Sequence, residues 1–498
     1  MNADLLPVLL IIIPLGTAFL TTLIATFSKK IARYLPLMGV LAMVIIAIFL
    51  LIEVVNSGSV TSVTGFQDRE LTDGGTIPLG IHLVATPLGA LVALGMSGVA
   101  LFVLTSHISD SGDRSEPWFS LLVMMATAGA VGMVITGDLF NLFVFLEITS
   151  ISGTSLAALP RGKVKKGLNW KGALGYAIIS ALASFLILAG IALIYGATQT
   201  LNMGMIPARL LDADPFLIGT ALILMLVGFG IEAEVFPLNG WAPDVYKGSR
   251  WGTSSIFSGV IGKAGLVAMI KVVLLMVGPA LDGSLVADIL LWGGAATFLV
   301  GEAAAFTSKD IYRLLGFSSI GMFGLMLVAF SLGSENGIWA GVFLILGHMI
   351  LKPVLFSITG RITDRDTNTP LSKLDGLMDR SKTGAFLFGG AAIMLLGMPP
   401  SPIFWGKFYM INEIGAQGNW LLLGVILLGT LLEAGFIGRL LWRVFSGNGE
   451  NGKTKIPFLQ GTTAAVALGL SAAIGFMPGI IEPIINSIAE DLLGRWFQ

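Results

Sequence analysis

Two carboxylates, Glu232 and Glu234, stand inside an apolar run that begins near Phe216, and Pro237 follows them closely. A charge at a bilayer centre costs about 2.5–3.5 kcal/mol on insertion scales, so embedded acids mark ion paths. Pro237 removes a backbone donor and breaks the helix. Lipid tolerates such a break only where protein or a water-filled cavity covers it. Embedded charge beside a broken helix therefore predicts an ion pathway, with proton or cation exchange on a carboxylate as its chemistry. On a regular helix, residues two apart point about 200° apart, so the two acids cannot share one partner. Glu232 is favoured for the path because Glu234 lies closer to the break. Glu234 is then expected at a helix surface or a subunit contact.

Further charges lie within apolar stretches. Glu147 ends the run Gly137-Asp138-Leu139-Phe140-Asn141-Leu142-Phe143-Val144-Phe145-Leu146 and sits about eight residues into its helix, roughly 12 Å deep. A proton-binding carboxylate is favoured there over a structural ion pair. Lys263 sits among Gly259, Gly262 and Gly265, which let a neighbouring helix approach closely. A desolvated lysine can relay protons or serve as counter-charge to an acid. His348 and Lys352 are four residues apart and share a helix face, ahead of Pro353. A lone core histidine is the plainer reading, but a lysine one turn away favours a relay. Lys407 follows Pro399, Pro400 and Pro402, which break a second long helix much as Pro237 breaks the first. Two interrupted helices in corresponding halves point to an inverted-repeat transporter site. Glu302 and Glu433 are secondary candidates with Glu234, read as second-line sites or inter-subunit contacts rather than primary ones. Lys271 is placed to snorkel toward an interface.

The elements that must position these groups follow from composition. Of 498 residues, 55% are hydrophobic and 12% charged, with mean hydropathy +0.88. Soluble domains carry about 25% charged residues, so this is an integral membrane protein. A net charge of −1 gives no basic character for nucleic acid. No cysteine is present, which excludes thiolate-ligated iron–sulfur clusters, disulfides and Cys-type zinc sites in this chain. The three histidines, His82, His107 and His348, are too few and too scattered for a haem or metal site. No P-loop spacing occurs. Any coupled redox chemistry is expected in another subunit, where iron–sulfur, nickel–iron, flavin or quinone groups would sit. The start, Met1 to Asp4, lacks the basic region of a signal peptide, so the first apolar run reads as a retained helix.

A spanning helix needs about 20 apolar residues. That rule predicts fourteen, near 5–27, 35–55, 83–106, 118–136, 139–159, 172–196, 216–245, 252–277, 286–307, 313–332, 337–360, 384–412, 420–444 and 459–484. The seventh and twelfth are interrupted by proline. No segment between spans is large enough for a second globular domain, so residues 1–498 form one membrane domain. Loops after even-numbered spans hold only Arg69 and Arg209, and most other basic residues lie in loops after odd-numbered spans. The positive-inside rule then puts the odd loops in the cytoplasm and both termini outside, in a prokaryotic plasma membrane. The basic loop from Arg161 to Lys171 reads as a topology signal, a contact for a cytoplasmic partner or a site for anionic lipid headgroups.

These stretches resemble the antiporter-like subunits shared by respiratory complex I, Mrp-type sodium/proton antiporters and membrane-bound hydrogenases. The resemblance rests on the run ending at Glu147, on Phe236-Pro237-Leu238 with Trp241 and Pro243-Asp244, and on Gly262-Lys263-Ala264-Gly265. Arg313-Leu314-Leu315 with Ser318-Ser319-Ile320, His348 with Lys352, and Pro399-Pro400 through Gly406-Lys407-Phe408 extend it. It implies fourteen helices with two inverted five-helix repeats, spans four to eight (118–277) and nine to thirteen (286–444), flanked by 1–106 and 459–498. By residue matching, Glu147, Lys263, His348, Lys352 and Lys407 would form a hydrated polar axis near mid-membrane. One departure matters. Family members usually carry a lysine where Glu232 stands, and that lysine is expected to pair with the acid at Glu147. Asn239 also stands where a histidine is common. Two neighbouring acids would share one proton, and the usual acid–lysine switch is in doubt. Such divergence suits one of a pair of antiporter-like subunits in a hydrogenase-like or sulfur-reducing archaeal complex.

The leading reading is a subunit that moves H+ and/or Na+ within a larger membrane complex, without a redox centre of its own. Its partners are other membrane subunits and the bilayer. A non-pumping scaffold subunit and a stand-alone solute carrier are the alternatives.

Overall fold

The computed structural model describes residues 3–65, 69–70, 76–77, 80–111, 117–159, 170–277, 283–363, 368–446 and 453–496. Among these, thirteen helices are long and apolar enough to cross a membrane, and one further crossing is assembled from two short halves. The chain is a multi-pass membrane protein of all-α architecture.

The first two crossings are α1 (Leu6–Ala25) and α2 (Lys29–Ser57). A hairpin of β1 (Val60–Gly65) and β4 (Gly80–Ala85) follows, antiparallel, with Val60 opposite Ala85. Within it a two-residue pair joins β2 (Arg69–Glu70) to β3 (Thr76–Ile77). This hairpin falls in a stretch read from sequence as an extramembrane connection. Helices α3 (Pro87–Ser111), α4 (Pro117–Ile135), α5 (Leu139–Ala158) and α6 (Trp170–Thr198) come next, then short α7 (Ile206–Leu210).

The seventh crossing stops early. Helix α8 (Pro215–Glu232) ends at Glu232, and α9 (Ala242–Gly248) resumes after an irregular stretch. The eighth crossing runs through α10 (Trp251–Ile256), a π-helical turn at Phe257–Ile261, α11 (Gly262–Met269) and a second π segment at Ile270–Val277. Helices α12 (Gly283–Thr307), α13 (Ile311–Ser331) and α14 (Glu335–Ile362) follow, with short α15 (Leu377–Arg380). The twelfth crossing is split into α16 (Lys382–Leu396) and α17 (Pro402–Ala416). Helices α18 (Trp420–Ser446) and α19 (Phe458–Phe476) complete the crossings. A further helix, α20 (Glu482–Trp496), lies beyond the fourteenth predicted span and packs against α3 and α14.

The eighth crossing, α13 and α14 are buried almost all round, while α1, α18 and α19 leave apolar faces outward. A helix that is apolar on every side belongs in such a core. Lys263, His348 and Lys352, inside these core crossings, are therefore surrounded by protein rather than lipid.

The breaks are satisfied by protein. At the seventh, the Val235 amide donates to the Gly230 carbonyl at 2.8 Å, and the Phe236 amide to Thr297 Oγ1 on α12 at 3.0 Å. Glu234 holds φ at 58°, a left-handed conformation uncommon for a residue with a side chain. Gly397 ends α16 at φ 91°, where glycine carries no steric penalty. Both breaks contain a cis proline, Pro237 and Pro400.

Helix starts follow the expected cap chemistry. Asp138 accepts the Asn141 amide at 2.7 Å to cap α5, and Asp310 accepts the Arg313 amide at 3.0 Å to cap α13. Each capping aspartate also bridges to a later loop, Asp138 to Asn202 and Asp310 to Pro370. Residues 161–169, which hold most of the basic loop, and the basic positions 114 and 365 lie outside the described residues.

Candidate functional site

The end of α8 presents Glu232 into a niche between α5 and α6. Tyr176 and Ser180 are one turn apart on α6, and Glu147 and Ser150 are three apart on α5, so each pair shares a helix face. Tyr176 Oη donates to Glu232 Oε2 at 3.3 Å. The hydroxyls of Ser150 and Ser180 border the same carboxylate, and Glu147 lies within its electrostatic range. Glu232 is 3% exposed, whereas Glu147 is half-buried. Glu232 Oε1 and Ser150 Oγ have no hydrogen-bond partner among the described residues. The niche can close this tightly because Gly265 of α11 abuts the end of α8. A Cβ on Gly265 would lie 2.7 Å from the Glu232 carbonyl carbon.

Two residues on, the left-handed turn swings Glu234 the other way. Tyr246 Oη, on α9, donates to Glu234 Oε1 at 2.9 Å. The Glu234 carboxylate also faces the ammonium groups of Lys263 and Lys352. Lys263 follows the first π-helical turn of the eighth crossing. Its Nζ lies 3.0 Å from His348 Nδ1 on α14 and donates to the Ser258 carbonyl at 3.4 Å. The same ammonium stands 3.8 Å from the centre of the Phe323 ring, a cation–π contact. One turn along α14, Lys352 Nζ donates to the Leu315 carbonyl on α13 at 2.8 Å. Lys263, His348 and Lys352 are all fully buried.

Beyond Lys352 the charge alternates again. Its ammonium interacts with Glu302 on α12 and Glu433 on α18. Glu433 forms an ion pair with Lys407 of α17. Lys407 also donates to the Leu396 carbonyl at 2.9 Å, at the C-terminal end of the half-helix α16, where the helix dipole favours a cation. Neither oxygen of Glu302 has a hydrogen-bond partner among the described residues. The nine groups thus run from Glu147 through Glu232, Glu234, Lys263, His348, Lys352, Glu302 and Glu433 to Lys407, each within electrostatic or hydrogen-bonding reach of a neighbour. The line passes both helix breaks.

Two expectations from sequence are corrected by this geometry. Glu234 is not at a helix surface or subunit contact, since it is fully buried on Tyr246 and faces Lys263. Glu302 and Glu433 are fully buried too, which rules out inter-subunit contacts. Lys271 is half-buried, and its Nζ contacts the carbonyl of Thr136, just past the end of α4. Sequence reading also passed over Tyr176, Tyr246, Ser150 and Ser180. Their signal was present, since buried hydroxyls on apolar helices need partners and carboxylates supply them.

The model of the family described as "NADH:quinone oxidoreductase/Mrp antiporter, TM" matches residues 136–433. This chain is 30% identical over 441 residues to an NADH-quinone oxidoreductase subunit N of Desulforudis audaxviator, covering 88% of this chain and 85% of that protein. It is 27% identical over 490 residues to the D-type Na+/H+ antiporter subunit of Bacillus subtilis, covering 97% of each. Among solved structures, it matches a chain of the membrane-bound sulfane sulfur reductase, an archaeal respiratory membrane complex. That match has TM-score 0.86 and 28% identity, over 98% of this chain and 97% of the other. The chain belongs to the NADH:quinone oxidoreductase/Mrp antiporter family of membrane proteins.

Proposed function

We propose that this chain is an ion-translocating, antiporter-like subunit of a multi-subunit membrane complex. One observation carries the reading: a line of buried acids and bases, in successive groups of each sign, joins the two broken helices through the most enclosed part of the bundle. Intramembrane ionisable groups are expensive, and a chain of them is the structure a proton relay needs. Similar chains are named for NADH-quinone oxidoreductase and Na+/H+ antiporter subunits, and the sulfane sulfur reductase is a respiratory membrane complex. Other membrane subunits are therefore this chain's partners, and H+ or Na+ its cargo.

Two inverted repeats, over 118–277 and 286–444, fit the paired features. Asp138 and Asp310 both cap a crossing and bridge to a later loop, and each half carries one broken crossing. The fifth and tenth crossings start from opposite sides of the membrane in a fourteen-span chain, as inversion requires. The skew of basic residues supports an orientation with both termini outside, and the bacterial sources of the similar chains support a prokaryotic plasma membrane.

The test uses the purified complex in vesicles. Lys263→Ala and Lys407→Ala should each abolish ion pumping while the complex still assembles. Full pumping by both variants would end the assignment.

A further inference from the structure

The niche at the end of α8 differs from the rest of the line in one respect. The three other buried acids in the line each face an ammonium: Glu234 faces Lys263, Glu302 faces Lys352, and Glu433 faces Lys407. Glu232 faces none among the described residues. The polar groups that act on its carboxylate are Tyr176, Ser150, Ser180 and Glu147, each through an oxygen. Two of those oxygens, Glu232 Oε1 and Ser150 Oγ, are buried without a partner among the described residues. Buried polar atoms left bare in this way call for an occupant. The niche also lies at the C-terminal end of a half-helix, whose partial negative charge favours a cation.

We infer that Glu147, Glu232, Ser150, Ser180 and Tyr176 form a binding site for a small, hard monovalent cation, with Na+ the ion to test. Carboxylate and hydroxyl oxygens without nitrogen or sulfur are the donors hard cations select. Glu232 and Ser150 contribute the oxygens that have no other partner, Glu147 supplies the second negative charge, and Tyr176 holds the Glu232 carboxylate in place through Oε2. Glu147, the half-buried member, is the side from which the ion reaches the site. This inference deepens the transport reading and rests on it for the ion's fate, but not for its binding.

The experiment measures equilibrium retention of radioactive Na+ by the detergent-purified complex, at ionic strength held constant with choline chloride. Glu232→Gln keeps the side-chain shape and removes the charge. Ser150→Ala keeps both carboxylates and removes one bare oxygen. Matching size-exclusion profiles show that each variant has assembled. Wild type should show a saturable component that weakens about tenfold or more in both variants, the range seen when metal-site contacts are removed. A wild type without saturable Na+ retention, or a Glu232→Gln complex that binds as wild type does, would overturn the site. Loss in Glu232→Gln with full binding in Ser150→Ala would overturn the coordination and leave only a distant charge effect. Binding is read without transport, so failure here leaves the pumping test of Lys263 and Lys407 standing, and the reverse also holds.

Discussion

The ion pair between Lys407 and Glu433 joins α17 to α18 inside the bundle, and its energetics can be worked from burial. Lys407 is 7% exposed and Glu433 fully buried. Removing one partner of a buried pair strands the other charge and costs about 3–5 kcal/mol. Two local features set where in that range the loss falls. Lys407 keeps the Leu396 carbonyl as an acceptor, and Glu302 still faces its ammonium. Glu433→Gln should therefore fall near the lower end, about 3 kcal/mol. Lys407→Met leaves the Glu433 carboxylate with Lys352 as its remaining ammonium, and a similar loss is expected. The double variant strands no charge. Replacing a buried pair by apolar groups is often neutral or stabilising, so most of the loss should return. Unfolding of the purified subunit in mixed micelles, titrated with sodium dodecyl sulfate, reads all four corners of the cycle. A coupling energy of about 2 kcal/mol or more supports the buried pair. Coupling below about 0.5 kcal/mol, the scale of exposed pairs, would show that water screens these groups and refute the packing argument.

Two further perturbations probe the first break. Gly265→Ala puts a Cβ against the Glu232 carbonyl carbon and the Ala233 nitrogen, both backbone atoms that cannot rotate away; a cost of about 1–3 kcal/mol and a fall in pumping are expected, with native gels reporting assembly. Tyr246→Phe removes the single hydrogen bond to the Glu234 carboxylate, and the same micelle titration should show a loss of about 1–3 kcal/mol. An unchanged titration would mean that water already serves Glu234.

Span positions were legible because apolar length is a one-dimensional property, and both interrupted crossings announced themselves through Pro237 and Pro399–Pro400. Side-chain direction was less legible. A helical wheel sent Glu234 away from the path, since it assumes the helix continues, whereas α8 ends at Glu232 and Glu234 itself takes a left-handed conformation. Glu302 and Glu433 carry no neighbouring proline or lysine in sequence, so nothing local distinguishes them. Their partners lie on α14 and α17, contacts that only tertiary packing supplies. A usable clue did exist: three deeply buried lysines require acids, and Glu147 and Glu232 alone could not serve them. Helix α20 was not predicted as a separate element, because Glu482, Glu490 and Asp491 interrupt the apolar run that marks a span; it packs against α3 and α14.

Charge balance along the line ties the ion-binding inference to transport. Five acids, Glu147, Glu232, Glu234, Glu302 and Glu433, meet three lysines, Lys263, Lys352 and Lys407. Four of the acids and all three lysines are buried. A buried charge without a counter-charge is far more costly than a neutral group, so five ionised acids against three ammonium groups is not a stable state of this interior. The excess must be met by protons, by the His348 imidazole carrying a charge, or by a metal cation. His348 is poorly placed for that task, since Lys263 lies against its Nδ1 and a second positive charge there would repel. Protons and an entering cation remain, and they compete for the same negative charge. The sharpest competition falls at Glu232, the buried acid of the line that faces no ammonium among the described residues. A cation that displaces a proton there, or a proton that displaces a cation, changes the charge seen by Glu234, which faces both Glu232 and Lys263. Exchange at one end of the line is thereby felt by the lysines at its centre without any helix having to move.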